Sequence, residues 1–117
     1  AKEVLSEWYG SDPKNATDYC RIVSEKHLQR LKTLLKSGSV AIGGNDDPSE
    51  RYMAPTILID VSPNDPIMKE EIFGPILPIV TVQKSFDAIG FINSRPKPLS
   101  LYVFSSDKKV QELFLTQ

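Results

Sequence analysis

Between Ser24 and Gly38 the apolar residues fall at helical spacing. Leu28, Leu31, Leu34 and Leu35 make one stripe, with Lys, Gln and Arg between them. Ser24 is placed to cap this helix, Glu25 favours its positive end, and Gly38 stops it. A shorter pattern, "KEVLSEWYG", puts Val4, Leu5 and Trp8 on one face, with Gly10 as its stop. The polar "SDPKNATDYC" between them predicts a loop.

After Gly38 the period changes. "SVAIGG" and "PTILID" predict short strands, with "NDDPSE" and "VSPNDPIM" as turns. "ILPIVTV" is apolar at successive positions, as in a strand covered on both faces, although Pro78 points to a bulge or an edge. "SFDAIGFIN" predicts a helix capped by Ser85, with Phe86, Ile89 and Ile92 or Phe91 inward, and Asn93 ends it without a catalytic role. "LSLYVFS" predicts a strand, and "SDKKVQELFLTQ" a last helix from Ser106 with Val110, Leu113 and Phe114 on one side. Helices alternating with strands predict an α/β layer architecture.

Composition narrows the function classes. The 117 residues suit one domain, and 14 Lys and Arg against 15 Asp and Glu leave a net charge of -1. That balance gives no support for a binder of the nucleic-acid backbone, which needs a basic face. No apolar run has the ~20 residues of a membrane span. With one cysteine, Cys20, and one histidine, His27, a Cys/His zinc cluster is excluded and no internal disulfide can form. The first residue is Ala1, and Gln117 stands within a helical pattern, so a piece of a longer protein is expected.

Chemistry concentrates in "EEIFGP", residues 70–75. One reading is a solvated carboxylate pair at a strand entrance. The other is a binding site. Neighbours in an extended chain face opposite ways, so one of Glu70 and Glu71 can face a pocket while the other meets solvent or a cation. A carboxylate can hold a vicinal diol through its two oxygens. Phe73 shares the face of Glu71 if the chain stays extended, and its flat ring suits a flat heterocycle. Gly74 and Pro75 would fix the turn and leave room for a ligand.

"KEEIFGPILPIV" resembles a hallmark stretch of the aldehyde dehydrogenases, in their class-three branch that handles fatty and aromatic aldehydes. "WYGSDPKNATDYCRIVSEKHLQRL", "VAIGG", "RYMAPTILIDV" and "FINSRPKPLSLYVFS" are similar to the same branch, in the same order, so the resemblance covers essentially the whole chain. It implies a segment of an open α/β catalytic domain. It also implies a parent that oxidises aldehydes to carboxylic acids with NAD or NADP: a cysteine attacks the carbonyl, hydride passes to the nicotinamide, and water releases the acid. The resemblance assigns the nicotinamide ribose to Glu71 and the nicotinamide ring to Phe73, and sets His27 and Arg30 near the cofactor's adenosine ribose. An exposed polar helix face is the alternative for His27 and Arg30. Pro96 and Gly90 depart from the branch's usual residues.

Catalytic residues are expected elsewhere. The chain lacks the family's "GQ-x-C" nucleophile, its "LELGGK" general-base stretch and a glycine-rich diphosphate turn. Cys20, in "TDYCRIV", is expected to be a small, partly buried residue outside catalysis. The expected partners are an aldehyde and a nicotinamide cofactor, with no nucleic acid and no membrane segment in this chain, and a homodimeric parent in an intracellular, cytoplasmic setting. The alternative is a truncated, non-catalytic structural or partner-binding α/β module.

Overall fold

The computed structural model describes residues 1–116. They form two compact units, residues 1–80 and, from 81 onward, the remainder. In the first, helix α1 (Lys2–Tyr9) ends at Gly10, whose φ of 75° is a conformation that glycine adopts freely. Helix α2 (Glu25–Leu34) begins where the pattern placed it. The Ser24 hydroxyl accepts the His27 amide at 3.2 Å, and the chain tightens into a final turn over Leu35–Ser37 before Gly38.

Strands β1 (Ser39–Ile42), β4 (Thr56–Ile59) and β5 (Ile76–Pro78) form a mixed sheet in the order β1-β4-β5, antiparallel on one side of β4 and parallel on the other. Alternation along β4 sends Thr56 and Leu58 inward. Leu28, Leu31 and Leu34 of α2 join Leu58, Ile76, Met53, Val61, Ile67 and Ile22 in one core, so α2 covers that face of the sheet. Burying each large aliphatic side chain contributes about 1.5–3 kcal/mol. The expected α/β character holds.

Several local expectations are corrected. "NDDPSE" is more than a turn: β2 (Asp46–Asp47) pairs antiparallel with β3 (Tyr52–Met53), two-residue strands too short to show a period. Helix α1 forms as expected, although none of its residues is buried and Trp8 stays 67% exposed. "ILPIVTV" pairs over only three residues and is not covered on both faces, since Leu77 is 57% exposed. Pro78 has no N–H to extend the ladder, and the Ile79 amide makes one more bond, to the Leu58 carbonyl at 2.8 Å.

The second unit holds α3 (Ser85–Asn93) and α4 (Lys108–Thr116). Lys84, not Ser85, occupies the cap of α3, and its amide donates to the Asp87 carboxylate at 3.0 Å. Ile89 is buried and Phe91 and Ile92 are half-buried, but Phe86 is exposed. The last helix opens slightly later than the expected Ser106, with Asp107 accepting the Lys109 amide at 2.8 Å at its start. The expected strand "LSLYVFS" is also corrected, because it forms no strand and leaves Leu99, Tyr102 and Phe104 exposed. Its side chains suit a sheet, but a strand needs a hydrogen-bonding neighbour, and no strand exists among the described residues of this unit.

In the first unit, charge ties the loop after α1 to the β2–β3 hairpin. The Lys14 ammonium lies 2.6 Å from the Asp47 carboxylate and 2.9 Å from Glu50, and Arg21 adds a bond to Glu50 at 3.3 Å. The Lys14 hydrogen bond holds Asp47 well below its ordinary 3.8 and Glu50 below 4.5, while these carboxylates raise Lys14 above 10.5. The depressed carboxylates stabilise the fold above their ordinary values, and that contribution is lost as pH falls through their folded ones. Lys14 contributes fully below 10.5, and its contribution is lost as pH rises through its raised value. The advantage of the native chain over Asp47→Asn in urea midpoint should therefore persist through neutral pH and shrink as pH drops below 3.8. A difference independent of pH there would rule out the ion pair as its source.

Candidate functional site

The 70–75 segment lies against α2. Gly74 makes the contact possible: a Cβ there would sit 2.6 Å from both terminal carbons of Leu31, which has no exposed surface. The room that glycine leaves is thus filled by the core, not kept for a ligand. Beside Gly74 the Thr56 amide bonds the Pro75 carbonyl at 2.8 Å and leads the chain into β5.

From Glu70 to Phe73 the chain has no strand neighbour, and side chains of α2 hold it. The Arg30 guanidinium donates through Nη1 to the Ile72 carbonyl at 2.9 Å and through Nη2 to the Glu71 carbonyl at 2.8 Å. Its Nη2 also reaches the Glu70 carboxylate at 3.3 Å. His27 Nε2 lies 2.7 Å from the Phe73 carbonyl, which can only accept, so this nitrogen carries the hydrogen.

The two glutamates therefore differ. Glu70 meets a cation. The Glu71 carboxylate is exposed and has no hydrogen-bond or ion-pair partner among the described residues. Phe73 adopts φ 50°, a left-handed conformation that costs a bulky side chain on the order of 1–3 kcal/mol. The extended path assumed for Glu71 and Phe73 thus ends at Phe73. Phe73 is 72% exposed and, with Tyr19, Cys20, Arg21 and His27, lines a hollow of about 690 Å³ whose lining does not include Glu71.

Cys20 is exposed, contrary to the partly buried position expected of it. Loop geometry explains this: the neighbouring Tyr19 turns inward, and its hydroxyl donates to the Met53 carbonyl at 2.8 Å. Burial is the main cause that pushes the Tyr19 phenol well above its ordinary value. Tyr19 packs edge-on against Tyr9 and Tyr52, and Arg21 lies over the Tyr52 ring at 5.3 Å. Of these, Tyr9, Tyr19 and Arg21 line the hollow and were not singled out from the sequence. The sequence cue was slight: Tyr9 and Tyr19 flank a polar loop.

The aldehyde dehydrogenase family model matches residues 1–117. The chain belongs to the aldehyde dehydrogenase family. It is 54% identical over 109 residues to the rat "aldehyde dehydrogenase, dimeric NADP-preferring", covering 93% of this chain and 24% of that one. It is 52% identical to human "aldehyde dehydrogenase family 3 member B1" over 99% of this chain and 25% of that one. Among solved structures, the substrate-bound state of Staphylococcus aureus AldH superposes with a TM-score of 0.93 at 47% identity, over 99% of this chain and 26% of that one. A Thermus 1-pyrroline-5-carboxylate dehydrogenase with bound NAD gives 0.72 at 26% identity, over 82% and 20%. The chain spans about a quarter of the length of the curated relatives it matches.

The Leu31–Gly74 contact gives a direct test. Gly74→Ala should cost about 1–3 kcal/mol through overpacking, read as a lower urea midpoint. An unchanged midpoint would mean that the segment does not rest on Leu31 in solution.

Proposed function

We propose that this chain is the cofactor-positioning segment of an NAD- or NADP-dependent enzyme that oxidises aldehydes to carboxylic acids. The observation that carries the reading is the free Glu71 carboxylate on a held loop, two residues from an exposed Phe73 ring. Two carboxylate oxygens with no competing protein donor fit the two hydroxyls of a ribose, and a flat accessible ring fits a nicotinamide. The names of the relatives support the reaction class, and both cofactors occur among them: NADP in the rat relative's name and NAD in the Thermus structure.

In this reading Glu71 accepts hydrogen bonds from the nicotinamide ribose, and Phe73 packs beside the ring and limits its tilt. His27 and Arg30 belong to the same cofactor side of the site. The nicotinamide, when bound, supplies the hydride acceptor. Orientation matters because the reacting atoms must come within about 3–3.5 Å of each other. The nucleophile and general base belong to other parts of the parent, and Cys20 takes no part in the chemistry. The word "dimeric" in the rat relative's name supports a homodimeric parent.

In the full-length parent, Glu71→Gln should weaken cofactor positioning by about 1.5–3 kcal/mol for each ribose bond lost, roughly ten- to hundredfold. Glu70→Gln removes only an exposed ion pair and should cost less than about fivefold. Single-turnover hydride transfer and cofactor titration would measure both. Equal effects of the two substitutions would sink the assignment of Glu71.

A further inference from the structure

Three consecutive carbonyls, of Glu71, Ile72 and Phe73, are all bound by one face of α2. The donors are Arg30 and His27, one helical turn apart. Between and beside them, Leu28 and Leu31 fix the helix in the core with no exposed surface. The loop therefore takes its backbone path from a rigid support, in place of a strand ladder.

Arg30 commits three N–H groups to this stretch, two from Nη2 and one from Nη1. A guanidinium is planar, so its fork can fix the spacing of two neighbouring carbonyls, while a lysine ammonium at the end of a flexible stem cannot. The His27 bond falls on the carbonyl of the residue with left-handed φ. It holds Phe73 in a conformation that an unheld loop would leave.

We propose that Arg30 and His27 are positioning residues that act on the cofactor through the loop. They set the reach of the Glu71 carboxylate and the attitude of the Phe73 ring, and do not themselves bind the ribose. This rests on the reading that Glu71 and Phe73 meet the cofactor, and it departs from a direct ribose contact by the two helix residues.

The test uses the full-length parent with Arg30→Gln, Glu71→Gln and the double substitution. Without cofactor, a glutamate-specific protease is applied and fragments are read by mass spectrometry. Cleavage after Glu71 should speed up at least tenfold in Arg30→Gln, with cleavage after Glu50 unchanged, a contrast that general destabilisation would not produce. With cofactor and aldehyde, single-turnover hydride transfer should slow roughly ten- to hundredfold in Arg30→Gln, with a smaller change in cofactor Kd. Most of that slowing should vanish when Glu71 is already Gln, because coupled residues are not additive. Unchanged cleavage after Glu71, or a slowing that persists undiminished in the double variant, overturns the proposal. If Arg30→Gln fails to fold, Arg30→Lys replaces it in both measurements, and normal loop protection with normal hydride transfer in Arg30→Lys overturns the fork argument. Hydride transfer unaffected by Glu71→Gln overturns the cofactor reading itself, while the protease comparison still decides whether Arg30 holds the loop.

Discussion

The contact of Gly74 with Leu31 is the constraint on which the site depends. Leu31 is a core residue of α2, and only a residue without a Cβ lets the 70–75 segment lie so close to it. That approach brings the Glu71, Ile72 and Phe73 carbonyls within reach of Arg30 and His27, and it delivers the chain to β5 in register with β4. Core packing and site geometry are one problem here. Whatever shifts Leu31 shifts the loop that carries Glu71.

The hydrophobic pattern foretold the support better than the site. Ser24, the leucine stripe and Gly38 defined α2 because each acts locally, through a cap, a period and a stop. The strands β1 and β4 were legible for the same reason. The β2–β3 hairpin was not, since two-residue strands carry no alternation and Asp46 and Asp47 resemble turn residues. "LSLYVFS" misled in the opposite way, because residue preference describes a surface that fits a sheet and says nothing about whether a neighbour is present.

In the 70–75 segment the composition was informative and the conformation was not. The difference between Glu70 and Glu71 could be expected from alternation, and the structure separates them by giving Glu70 to Arg30. The grip of Arg30 and His27 on the loop joins residues more than forty positions apart, which no local pattern reports. The left-handed turn at Phe73 was equally hidden, because a phenylalanine is among the residues least suited to it.

That turn makes position 73 a place where backbone ease and an exposed ring pull apart. Glycine would enter the same backbone region without strain, so a selection for thermal robustness alone would favour it there. The strain at this one residue would then be the stability the protein forgoes to keep an aromatic ring facing outward beside a hollow.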